Sequence, residues 1–339
     1  MHELVRTNNA VLITAIEALL KGADIPHVVL DRHMSVLEGS LGILPRRILV
    51  DAENWETARQ LLEDAGLAHE LRPDKAGPKP VPSSEASSGF TDDAVLGGRL
   101  RLRQKRSGHR VGHDAILLAA ATQAHSGDRV VEFGSGIGAA GLALALRAPD
   151  IEVTLVEIDP ELSGLAADNI ARNGMSERVR AVNFDVTGAA GEFAAHGIAP
   201  GTADRVLMNP PFHDPSRQNE SPDPEKRLAH AAPEGTLTSW VDAASRVLHS
   251  AGVLTLIWRA DGLGDVLAAL GRSFGGVAVL PVHGRAGQPA IRILVSARKG
   301  SRAPLALLPG LTLNDEDGKP TAEAEAILRG AEPLPMGPD

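Results

Sequence analysis

From residue 129 onward the chain alternates short apolar runs with helical segments, and this alternation constrains the fold more than any other feature. Residues 129–133, 152–156, 179–184 and 206–208 read as strands. Helices are expected over residues 139–147 and 160–173, with Pro160 suited to a first helical turn. A helix over 238–249 and a strand over 253–258 follow. Two late strands, 277–281 and 291–297, are separated by a Gly-rich turn and are expected to pair antiparallel at one edge. Strand–helix alternation is the pattern of a parallel sheet covered by helices. There is no internal repeat.

Residues 73–89 contain Pro, Ser and Gly with almost nothing to bury, and read as a linker. Before it, residues 1–72 read β-α-β-β-α: strands at 4–6, 27–30 and 47–50, and helices at 10–21 and 55–65. That order suggests a small α+β domain of ferredoxin-like or GlnB-like type. After the linker, residues 90–330 form the large domain and 331–339 a tail. The stretch from His33 to Leu44 is either a connector or a ligand loop.

The first strand of the large domain closes on Glu132-Phe133-Gly134-Ser135-Gly136-Ile137-Gly138 and opens directly into a helix. Glycines there let backbone approach a ligand, and the helix N-terminus favours negative charge. Gly136-Ile137-Gly138-Ala139-Ala140-Gly141 also fits the dinucleotide pattern, with Glu157 about 20 residues on. Taken alone, the turn serves a dinucleotide or S-adenosylmethionine equally well. Glu157 is expected to accept from ribose hydroxyls, whereas Asp159, which precedes Pro160, reads as a helix cap. Asp185 follows the third strand, either as an acceptor for an adenine amine or as a plain loop residue. Asp114 either caps the helix that follows it or helps hold the cofactor.

Asn209-Pro210-Pro211-Phe212 closes the run Asp204-Arg205-Val206-Leu207-Met208. Each proline fixes its own φ and drives the preceding residue to extended backbone. The corner presents a carboxamide oxygen, a proline carbonyl and an aromatic face. Two acceptors beside a flat ring suit a planar group bearing an NH2.

In order, the glycine turn, Glu157, Asp185 and Asn209-Pro210-Pro211-Phe212 fall at successive strand ends. This pattern resembles the class I S-adenosylmethionine-dependent methyltransferases that methylate amines. Residues 90–330 are similar to the bacterial tRNA(Val) adenine-N6 methyltransferase family, through Phe90-Thr91-Asp92-Asp93, the Arg110 to Leu118 segment, Leu313-Asn314-Asp315-Glu316-Asp317-Gly318 and the helix after it. The resemblance implies a Rossmann-like α/β sheet. It also implies S-adenosylmethionine held by Glu132, Gly134, Ser135, Gly136, Gly138, Glu157, Asp185 and Asp114. Asn209, Pro210, Pro211 and Phe212 become the catalytic corner, acting on an RNA base, in the first place adenine N6 of tRNA. Phe212-His213 departs from the Tyr more usual in adenine enzymes and is shared with enzymes that methylate guanine N2 of ribosomal RNA. A protein glutamine amide presents a similar NH2. A cofactor-sensing regulator and a nicotinamide oxidoreductase are the competing classes, and the second gives the Asn-Pro-Pro-Phe corner no role. The N-terminal part resembles small prokaryotic signal-transducing domains through Val5-Arg6-Thr7-Asn8 and His33-Met34-Ser35-Val36-Leu37-Glu38-Gly39.

A net charge of −9 argues against indiscriminate nucleic-acid binding, so any RNA contact must be local. Arg101, Arg103, Lys105 and Arg110 cluster just before the first helix of the large domain, with residues 99–103 alternating basic and apolar as on a strand, and Arg217 and Arg227 lie in the Pro-rich loop after the corner. These are the candidate phosphate contacts, although a solvated face over a core is an equal reading for the strand. With no cysteine the chain has neither disulfides nor Cys-based zinc sites, and no metal is expected. No apolar run approaches a membrane span and no basic region precedes the first apolar stretch, so the expected setting is cytoplasmic.

Overall fold

The computed structural model describes residues 2–7, 10–23, 25–30, 46–51, 54–67, 71, 89–105, 111–211 and 235–337. The linker and the His33–Leu44 stretch therefore lie outside the described residues, apart from Gly89. So do Arg110, Phe212, Arg217 and Arg227.

The chain divides into two compact units, Met1–Ser87 and Ser88–Asp339. In the first, β1 (His2–Thr7), α1 (Ala10–Gly22), β2 (His27–Leu30), β3 (Arg46–Val50) and α2 (Trp55–Asp64) follow in the expected order. The three strands form an antiparallel sheet in the order β1-β3-β2. Leu4, Val5 and Ile48 from the strands share one core with Ile13, Ile16 and Leu20 of α1 and Leu62 of α2.

The second unit begins with a hairpin of β4 (Phe90–Val95) and β5 (Leu100–Lys105), then α3 (His113–Ala121). Next come β6 (Arg129–Phe133), α4 (Ala139–Arg147), β7 (Glu152–Glu157), α5 (Pro160–Arg172), β8 (Val179–Asn183), α6 (Ala190–Ala195) and β9 (Ala203–Met208). They are followed by α7 (Thr236–Val247), β10 (Leu248–Arg259), α8 (Leu263–Leu270), β11 (Phe274–Arg285), β12 (Ala290–Lys299), β13 (Ala306–Leu307), β14 (Leu311–Asn314) and α9 (Ala322–Gly330).

One sheet runs β13-β11-β12-β10-β9-β6-β7-β8, with β14 also on β11. Strands β8, β7, β6, β9 and β10 are mutually parallel; β12 is antiparallel to β10 and β11 to β12. The expected antiparallel pair is present but does not end the sheet, because β13 and β14 pair with β11 beyond it. A two-residue strand is too short to show a period of two. Helix α4 is buried from Ala139 to Ala145, its small side chains letting it lie close to the sheet.

The segment read as a tail needs correcting. Leu334 is 1% exposed; its N–H donates to the Ala120 carbonyl, while Gln123 Nε2 donates to the Leu334 carbonyl. The C-terminal stretch is therefore packed against α3 as part of the core. Prolines and glycine around Leu334 and Met336 hide this in sequence, since two isolated apolar residues show no periodicity. Among the described residues, no helix is long and apolar enough to cross a membrane.

Candidate active site

Strand register places the site residues. Val182, Val156, Phe133, Met208 and Leu256 are neighbours across five strands. One residue further along each chain brings Asn183, Glu157, Gly134, Asn209 and Ile257 to the carboxyl edge of the sheet. Glu157 and Asn209 flank the glycine turn, two strand spacings apart, roughly 10 Å. Crevices at this edge are where open α/β sheets bind ligands.

The turn itself is tightly held. The Gly136 N–H donates to Glu157 Oε2 at 2.7 Å, and the Asp159 N–H donates to Oε1 at 2.9 Å. Each Glu157 oxygen therefore has a backbone donor fixing it, with lone-pair capacity left for hydroxyls. Gly134 has φ +63°, and a Cβ there would lie 2.4 Å from the Trp240 ring. Gly136, φ +54°, faces open space instead. The first glycine is required by packing, whereas the space beside the second is open. Asp159 caps α5, its Oδ1 accepting from the Glu161 and Leu162 N–H groups, as expected.

Glu132 is buried behind the turn, its Oε2 accepting from the Gly141 N–H at 2.7 Å. Burial, together with the charge of Glu157, pushes its carboxyl up to about 8, against the opposing pull of the Gly141 N–H. Glu132 thus faces α4 and joins β6 to that helix. Asp114 does not cap α3, whose N-cap is Gly112. Its Oδ2 instead pairs with Arg292 Nε at 2.9 Å. Arg292 is buried on β12, opposite Arg259 at the carboxyl end of β10, so the pair lies at the same edge of the sheet. His113, next to Asp114, is lowered from its ordinary pKa by burial, against an upward pull from that carboxylate.

Two buried polar atoms, Asp114 Oδ1 and Ser135 Oγ, have no hydrogen-bond partner among the described residues. Buried groups left this way cost about 1–3 kcal/mol each unless a ligand completes them. An acceptor and a hydroxyl left open suit the charged amino-acid end of S-adenosylmethionine. Ile158, 64% exposed, offers an apolar platform directly after Glu157. Asp185 Oδ1 accepts from the Thr187 N–H and hydroxyl, which turns the loop. Asn209 is partly buried at the end of β9, Pro210 is buried and Pro211 exposed. Among the described residues, no group of three or more His, Cys, Asp or Glu could hold a metal ion.

Residues 107–285 match the family described as methyltransferase small domain. The chain belongs to this family. The methyltransferase uses S-adenosylmethionine, and the residues at the carboxyl edge fit that cofactor. A release factor glutamine methyltransferase of Chlorobaculum tepidum is 32% identical over 170 residues, 48% of this chain and 56% of that protein. The methyltransferase thus spans little more than half of that relative. A tRNA1(Val) (adenine(37)-N6)-methyltransferase of Dickeya chrysanthemi is 28% identical over 232 residues, covering 66% of this chain and 88% of the relative. A solved structure from Agrobacterium tumefaciens, titled as a predicted O-methyltransferase, is 30% identical with a TM-score of 0.56, over 65% of this chain and 98% of that one. Residues 1–66 match the family described as "Putative prokaryotic signal transducing protein".

The candidate RNA face is partly compensated within the methyltransferase. Arg103 lies over the Phe90 ring at 4.7 Å and 3.9 Å from Asp168, and Lys105 pairs with Glu161 at 2.6 Å. Arg101 is exposed. The alternation of β5 announced a basic face, but not that α5 sets acids against it. Sequence reasoning also missed Ile158, Trp240, Arg292 and Asn169. Arg292 carried a signal, a charge inside the apolar run from Ile291 to Val295.

Proposed function

We propose that this methyltransferase transfers a methyl group to the exocyclic amine of an RNA base, adenine N6 in tRNA. The observation that carries the reading is the Asn209-Pro210 corner at the end of β9, one strand from the glycine turn and on its ladder level. S-adenosylmethionine supplies an activated sulfonium methyl. Glu157 is the residue proposed to orient its ribose, Ser135 and Asp114 its amino-acid end, and Ile158 and Asp185 its adenine.

What remains for the protein is alignment of a weak nucleophile. The amine lone pair of adenine is delocalised into the ring. Asn209 Oδ1 and the Pro210 carbonyl each accept one N–H, which favours a pyramidal nitrogen with its lone pair turned toward the methyl. As positive charge grows on that nitrogen, both dipoles hold it more strongly than in the ground state. Phe212 is assigned the role of stacking on the base, worth about 1–3 kcal/mol. A base must leave its stack to enter such a corner, which favours a loop base over a paired one. The proton leaves after transfer, when the nitrogen is acidic, so no dedicated base is needed. Arg101, Arg103, Lys105, Arg110, Arg217 and Arg227 are the proposed RNA contacts; of the three that are described, Arg101 is the exposed one.

The 32% identity to a glutamine methyltransferase favours a second reading, a protein glutamine amide presented to the same two acceptors. Incubation with labelled S-adenosylmethionine and total bacterial RNA, followed by nucleoside mass spectrometry, separates the two. N6-methyladenosine is the expected product. N2-methylguanosine moves the target to guanine, and an unlabelled RNA pool with labelled protein selects the glutamine amide.

A further inference from the structure

The β4–β5 hairpin is docked on α5 by two carboxamides that imitate strand pairing. Asn169 and Asn173, one turn apart, each bind both the N–H and the carbonyl of one β5 residue. Asn173 Oδ1 accepts from the Arg101 N–H at 3.0 Å and its Nδ2 donates to the Arg101 carbonyl at 2.7 Å. Asn169 does the same at Arg103, at 2.7 and 3.1 Å. The two differ in what else they reach. The other Nδ2 donor of Asn173 goes to the Asn169 carbonyl, within its own helix. That of Asn169 goes to the carbonyl of Ile137, in the glycine turn, at 3.1 Å.

We propose that Asn169 is a positioning residue for the cofactor turn, tying it to the β4–β5 hairpin through one side chain. Asn169 is fully buried, and both its amide hydrogens are engaged, so the carboxamide has one orientation. The turn is then held by the Ser135 N–H on the Val156 carbonyl at 3.0 Å, the Gly136 N–H on Glu157, the Gly138 N–H on the Ser135 carbonyl at 2.8 Å, and the Ile137 carbonyl on Asn169. Without the Asn169 bond, the peptide between Ile137 and Gly138 loses its tether to α5, and Ser135 and Gly136 are held from the β7 side alone. A second route runs from the hairpin toward the same edge. Gln104 Nε2 donates to Asp93 at 2.6 Å and its Oε1 accepts from the Val111 N–H at 3.0 Å, just before α3 and Asp114. The hairpin is therefore a brace shared by the segments on which Ser135 and Asp114 sit. Because β5 also carries Arg101 and Arg103, a force on those side chains reaches the cofactor turn through one hydrogen-bonded residue.

The inference rests on S-adenosylmethionine binding at the glycine turn. Its test is calorimetric titration of the full chain with S-adenosylhomocysteine, alongside thermal unfolding, for Asn169→Asp, Asn169→Ser and Asn173→Asp. Asn169→Asp removes both donors and keeps the acceptor, and Asn173→Asp does the same at the neighbouring docking point. The expected result is a Kd raised about tenfold or more by either Asn169 variant, the scale of one lost hydrogen bond. Asn173→Asp should lower Tm comparably yet leave Kd within about twofold of the parent. Asn169→Ser gives the same readout if the buried carboxylate prevents folding. Equal Kd changes at both positions, or none at Asn169, would overturn the proposal. Absence of binding by the parent chain would instead refute the cofactor assignment and this inference with it.

Discussion

At Gly134 and Gly136 the same small residue serves opposite ends. A methyl at Gly134 runs into Trp240, in a backbone conformation that L-residues avoid, whereas at Gly136 it would enter open space. Gly134→Ala is therefore expected to destabilise the protein by overpacking, about 1–3 kcal/mol, with further left-handed strain of about 1–2 kcal/mol. Gly136→Ala adds only the strain, yet occupies room a ligand needs. Urea unfolding should thus rank Gly134→Ala as the less stable variant, and S-adenosylhomocysteine titration should rank Gly136→Ala as the weaker binder relative to its stability. Reversal of the two rankings would contradict the geometry. Asn209 acts on the reaction rather than on packing. Asn209→Ala is expected to retain cofactor binding and to lose roughly 10²–10³-fold in turnover, the scale of one preorganised transition-state partner. An unchanged kcat removes Asn209 from the mechanism.

The joint between β6 and α4 depends on a carboxyl group that burial holds protonated. Glu132 titrates at about 8 in the folded chain against an ordinary value of 4.5, so the native state binds a proton that the unfolded chain has released over that interval. Its contribution is complete below about pH 4.5 and is lost as pH rises through about 8, at no more than about 1.4 kcal/mol per pH unit. Glu132→Gln keeps an acceptor for the Gly141 N–H and has nothing to titrate. Denaturation curves from pH 5 to 9 should therefore fall less steeply for the variant, and parallel curves would show that Glu132 is not the group responsible. At the C-terminus, Leu334 and Met336 are buried, and the Leu334 N–H donates to the Ala120 carbonyl of α3. Ending the chain at Gly330 should cost on the order of 3 kcal/mol or more, from two lost side-chain burials at about 1.5–3 kcal/mol each. A Tm unchanged on truncation would show that this stretch is not part of the core. Both effects arise between elements, where no local pattern announces them.

Across the whole molecule, the division into two units and the β-α order of the large one were legible because each strand and helix carries its own local signal. The cap at Asp159 and the glycine turn were legible for the same reason: a proline after an acid, or glycines after an apolar strand, demand a particular backbone. The candidate site stood out in outline because its residues follow strand ends, and strand ends are local features. Other contacts were not legible, because they join residues far apart in sequence. Asn169 meets Ile137 and Arg103, Asp114 meets Arg292, Trp240 lies against Gly134, and Asp168 and Glu161 quiet Arg103 and Lys105. The amino-acid order by itself determined the fold class, the glycine turn and the stiff corner at Asn209, since steric limits on proline and glycine act within a few residues. Only the tertiary structure decided which buried polar atoms lack a partner among the described residues, which of the described cations are exposed, and that Asn169 bonds both β5 and the glycine turn. Those outcomes depend on which partners the packed sheet brings within hydrogen-bonding distance.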